Sequence, residues 1–98
     1  MYQEAIEAFK QAIKINPNLL AAHYGLGIAY FQSGMYREAI QANKQAIQIN
    51  PVNAETHLAL GVIYILLNDK DAALKEYEIL KDLDPQMANE LLTKIDKL

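Results

Sequence analysis

Residues 18–51 read NLLAAHYGLGIAYFQSGMYREAIQANKQAIQINP and residues 52–85 read VNAETHLALGVIYILLNDKDAALKEYEILKDLDP, two stretches of 34 residues that align without a gap. His23 falls on His57, Leu26 on Leu60, Gly27 on Gly61, Tyr30 on Tyr64, Ala39 on Ala73 and Pro51 on Pro85. Upstream, residues 1–17 copy the second half of the unit, with Tyr2, Ala5, Phe9, Ala12 and Pro17 on Tyr36, Ala39, Asn43, Ala46 and Pro51. A period of this size is one supersecondary unit copied and stacked, because a single unit cannot bury its own apolar face.

Local chemistry specifies what the unit is. A proline lacks an amide hydrogen and disfavours helix at the residue before it, so Pro17, Pro51 and Pro85 each close a helix, and Asn18 or Asn53 can cap the next. Within each repeat Gly34 and Asn68 hold the same register, and these residue types most readily take the left-handed conformation that ends a helix. The spacing predicts six helices, about 2–15, 19–32, 36–49, 53–67, 70–83 and 86–97, and no strands. A mid-helix glycine costs about 1 kcal/mol relative to alanine. Its recurrence at Gly27 and Gly61 therefore implies close helix packing, with Ala39 and Ala73 expected opposite.

On these residues the chain resembles the tetratricopeptide repeat (TPR) family, whose pattern is a Leu-Gly pair, a Tyr three residues on, two small positions flanking an aromatic, and a closing Pro. Leu26, Gly27, Tyr30, Ala39, Ala46 and Pro51 carry it once, and Leu60, Gly61, Tyr64, Ala73, Tyr77 and Pro85 carry it again. Asn43 departs from the aromatic position and Leu80 from the second small one. Asn43 is expected in a partly buried seam that an aromatic would fill better. The resemblance implies an all-α, right-handed solenoid of antiparallel helix pairs. Its parts are a half repeat (1–17), two repeats (18–51 and 52–85) and a C-terminal capping helix (86–98), one array over 1–98 that is expected to be a piece of a longer protein.

The resemblance also implies where a partner would bind. Tyr24, Ile28 and Phe31, with Leu58, Val62 and Ile65 one unit later, form a second apolar stripe beside the packing face. In the family these positions line a concave groove that holds partner peptides or helices. Members that grip the C-terminal carboxylate of heat-shock chaperones place Lys, Arg and Asn there, because a buried anion needs charged donors. With Tyr, Ile, Phe, Leu and Val instead, an apolar helix or an extended segment with apolar anchors is the expected ligand. The alternative is a self-assembling scaffold. The first helix carries Phe9 on a face without its repeat partner, and the last carries Leu91 and Ile95, so head-to-tail packing of copies is the second expectation.

Other functions find little footing. The chain has 98 residues, 52% of them hydrophobic, a net charge of −3 and no cysteine, so it can hold a core but has neither disulfides nor thiol chemistry. Residues 1–68 carry four acids and four bases and residues 69–98 eight acids and five bases, the wrong sign for nucleic acid, and the stripe holds no Lys or Arg. The uncharged run from Ile15 to Tyr36 is interrupted by polar residues and the apolar run from Leu58 to Leu67 is too short to span a bilayer, so no membrane insertion is expected. Without a signal-peptide pattern the expected compartment is the cytoplasm. His23 and His57 share a register that the family packs between helices, and are read as core, not metal ligands. Ser33 has no His or acid at catalytic spacing and the glycines stand singly, so no enzyme and no cofactor is expected.

Overall fold

Prolines and left-handed residues divide the chain into helices. In the computed structural model, which describes residues 1–98, these are α1 (Tyr2–Ile15), α2 (Leu20–Gln32), α3 (Tyr36–Ile49), α4 (Ala54–Leu66), α5 (Lys70–Leu83) and α6 (Pro85–Ile95), with no strand. Gly34 (φ 81°) and Asn68 (φ 60°) both take the left-handed conformation. The chain then folds back on the helix it has left, and the amides of Met35 and Asp69 each donate 2.8 Å bonds to the carbonyls of Tyr30 and Tyr64.

Two helix starts differ from the expected ones. Asn53 caps α4, its Oδ1 accepting from the Thr56 amide and hydroxyl, each at 3.0 Å. Asn18 does not cap α2. Leu19 occupies that position and has no acceptor, while the Asn18 amide donates to Asn16 Oδ1 at 3.3 Å. At the last junction Pro85 opens α6 where Pro17 and Pro51 stand in the intervening turns. The first turn of a helix has no use for the missing amide hydrogen, and Asp84 Oδ1 accepts from the amides of Gln86 and Met87 at 3.1 and 3.2 Å. Only Asp84 therefore separates α5 from α6.

Residues 1–51 and 52–98 form two compact units. In the first, α2 packs on α1 and α3 around Ile6, Leu26, Ala29 and Ala42, with Phe9, Ile13 and Tyr30 at the edge of this core. In the second, α6 packs on both α4 and α5, and Ala73, Leu80, Ala88, Leu91 and Ile95 form the core. Leu80, at a position held by alanine in the other copies, is fully buried here.

Glycine makes room for close packing, and the side chains nearest to it are not the alanines. A Cβ on Gly27 would lie 3.0 Å from the Asn43 side chain of α3, and one on Gly61 would lie 2.5 Å from Leu91 of α6. Ala39 and Ala73 are nonetheless fully buried. Asn43 is 2% exposed, so the seam is not partly buried; its Nδ2 donates to the Ala39 carbonyl at 3.0 Å while Oδ1 has no partner. A tyrosine there would add bulk where the Asn43 side chain already meets Gly27 at contact distance.

Enlarging the buried alanines should therefore force helices apart. Ala39→Leu or Ala73→Leu is expected to cost about 1–3 kcal/mol in urea unfolding, and Asn43→Tyr to lower the melting temperature.

Candidate functional site

The two apolar stripes occupy matching registers but different surroundings. In the first unit Ile28 is 40% exposed, Tyr24 and Phe31 are half-buried, and none of the three belongs to the core around Leu26. The Phe31 ring tilts against Tyr36 with centroids 5.7 Å apart, which joins the end of the stripe to the start of α3. Along its whole length α2 carries no charged residue. In the second unit Leu58, Val62 and Ile65 are all half-buried and pack against the core that contains Leu91 and Ile95. Helix α6 accounts for the difference, since α4 is packed on both α5 and α6.

Leu91 and Ile95 are not the free surface that self-association by terminal helices required. Leu91 and Ile95 are 0% and 1% exposed, committed to α4 and α5 within their own unit. Phe9 is half-buried, and its ring lies so close to Gly25 of α2 that a side chain there would overlap it.

Both histidines are buried, each on a different partner. His23 Nε2 donates to the Pro17 carbonyl at 2.8 Å, which ties α2 to the turn before it. His57 Nδ1 donates to Glu76 Oε1 at 2.7 Å, an interaction between α4 and α5 with both side chains largely out of solvent. The divergence has a simple source. The first repeat has Ala42 at the register of Glu76, so His23 has no carboxylate to reach. Sequence reading missed Glu76 because Lys75, Glu76 and Glu78 stand together on α5, and only the helix rotation shows which one faces α4. No three His, Asp or Glu side chains gather as a metal-binding group, and the Ser33 hydroxyl donates to the Tyr30 carbonyl at 2.9 Å as part of a helix end. No helix is long and apolar enough to cross a membrane.

Antiparallel helix pairs, small residues at the close approaches and a repeated break at Gly34 and Asn68 agree with comparison to known proteins. The pattern described as "TPR repeat" matches residues 1–34, and "Tetratricopeptide repeat" matches residues 20–53 and again 54–87. The chain belongs to the tetratricopeptide repeat family. A search of the curated proteins returns no match. Among solved structures, the TPR array is similar to the second TPR domain of human RPAP3, solved in complex with the HSP70 peptide SGPTIEEVD, at 25% identity and a TM-score of 0.88 over 99% of this chain and 82% of that one. It is also similar to the first TPR of Spaghetti (RPAP3), bound to the HSP90 peptide SRMEEVD, at 23% identity and TM-score 0.89, covering 98% and 78%. A third likeness is to MamA from AMB-1, at 25% identity and TM-score 0.80, covering 85% of this chain. The chain spans about half the length of that MamA, 49%.

Around the His57 and Glu76 pair, Tyr64 is held protonated. Its pKa is raised from 10.0 by burial first, then by the negative charge of Glu76 and of Asp69. A raised acid favours the folded state below the unfolded value and loses that contribution as pH climbs through the folded one. Stability should thus fall above about pH 10, and Tyr64→Phe should fall less steeply than the parent when melting temperature is followed across that window.

Proposed function

We propose that this TPR array is a protein-interaction module that takes an apolar partner segment, a helix or an extended peptide with spaced apolar anchors, on the Tyr24, Ile28 and Phe31 flank of α2. The observation that carries the reading is Ile28, 40% exposed between two aromatic side chains on a helix without a charge. An exposed apolar cluster of this kind is unfavourable in water unless a partner covers it. In the second unit Leu58, Val62 and Ile65 offer the same chemistry with less exposed area.

Family likeness supports peptide binding in general, since the second TPR domain of human RPAP3 was solved with a peptide. It does not carry over the ligand. SGPTIEEVD presents several carboxylates at its end, and carboxylates leaving water need cationic or multiple hydrogen-bond donors. The α2 flank supplies only the Tyr24 hydroxyl and apolar surface, so selection runs toward uncharged, apolar segments. Binding and release of such a segment requires no bond making or breaking, and no residue of the flank is equipped for either.

Fluorescence polarisation of a peptide panel tests this. Peptides with leucine or phenylalanine anchors should bind and SGPTIEEVD should not. Ile28→Asp should weaken the best binder by more than about 1 kcal/mol with helicity unchanged, because Ile28 lies outside the core. Undiminished binding by that variant would contradict the assignment.

A further inference from the structure

A different face of α2 forms the floor of a second concavity. Helices α1 and α3 flank α2 in the first unit and leave an open groove of about 510 Å³. Ile13, Leu26 and Ala42 line its apolar floor. Lys10 and Lys14, one turn apart on α1, form one wall, and Gln41 and Gln45, one turn apart on α3, form the other. Neither lysine has an ion-pair partner in the chain. Glu38 lies toward the opposite end, beside Tyr30, because short turns make α1 and α3 both run antiparallel to α2. The groove is thus apolar along its floor and basic toward the end of α1.

Charge is distributed between the units in the complementary sense. Residues 1–51 carry three acids and four bases, and residues 52–98 carry nine acids and five bases. Within the acidic unit one exposed segment has the pattern that the groove lacks. Leu66 and Leu67, 51% and 42% exposed, end α4, and Asp69 and Asp71 follow at the start of α5. Asp69 is occupied as the cap of α5, accepting from the Ala72 amide at 3.1 Å, whereas Asp71 is exposed and makes no ion pair. The register-equivalent turn of the first unit has Gln32, Ser33 and Met35 at the Leu66, Leu67 and Asp69 positions and Arg37 at that of Asp71, so it could not substitute.

We infer that the α4–α5 turn of a second copy docks in the groove between α1 and α3, with Leu66 and Leu67 on the apolar floor and Asp71 facing Lys10 and Lys14. The contact joins unlike surfaces, so it closes into a ring or propagates. A turn seated in a groove is a small interface, below the roughly 1,200 Å² of stable complexes, and is weak and salt-sensitive.

Sedimentation velocity on the intact chain, from about 10 µM to about 1 mM and at low and high salt, tests the inference. Mass should rise with concentration and the rise should shrink in high salt. Lys14→Glu and Asp71→Lys should each weaken association about tenfold or more, and Leu66→Ser should do so without altering charge. An equal mixture of the Lys14→Glu and Asp71→Lys chains should associate again, since each then meets a complementary surface. Circular dichroism confirms that each variant is helical. A chain that stays monomeric at the highest concentration overturns the inference and leaves the groove to another protein. Association that ignores both charge reversals, or a mixture that does not recover, overturns it as well.

Discussion

Close approach of helices at positions with little or no side chain is the constraint on which the rest of the structure depends. Ala39, Ala46 and Ala73 have no accessible surface, and Gly27 and Gly61 admit Asn43 and Leu91 to 3.0 and 2.5 Å from where a Cβ would stand. Interiors are close-packed, so such contacts transmit the size of one side chain to the spacing of two helices. With packing on one face of α2 fixed in this way, Tyr24, Ile28 and Phe31 on another face are left outside the core. The outward stripe is a consequence of the inward one.

Unsatisfied or costly polar groups follow the same geometry. His57 can be buried because Glu76 meets it at 2.7 Å, and His23 because the Pro17 carbonyl does at 2.8 Å. Asn43 is the exception, with Oδ1 buried and unpartnered at the register of Phe9 and Tyr77. An unpaired buried carbonyl costs about 1–3 kcal/mol, so the site is a weak point in the first unit. The Asn43 side chain fills the space beside Gly27, at 3.0 Å from where a Cβ would stand.

Helix number, the breaks at Gly34 and Asn68, and family were all legible from a 34-residue period, because periodic glycine, proline and alanine act through backbone geometry that one copy shares with the next. Junctions that differ between copies were less legible. Asp84 with Pro85 shortens the last turn to one residue, and Leu19 in place of a cap leaves Asn18 outside α2. The stripe was visible as a pattern, but its two halves were indistinguishable in sequence. Only the packing of α6 on α4 shows Leu58, Val62 and Ile65 facing a core while Ile28 faces solvent. The same packing took Leu91 and Ile95 away from the surface: an apolar helix face near a chain end reads identically whether it is turned inward or outward.

The most direct test of an outward α2 flank as the binding surface is an amide chemical-shift titration of the isotopically labelled chain with the tightest apolar peptide. Shifts centred on Tyr24, Ile28 and Phe31, with Leu26 and the α1 and α3 walls little changed, are the expected result. Shifts centred on Lys14, Gln41 and Gln45 instead, or spread through the buried positions of both units, would contradict it.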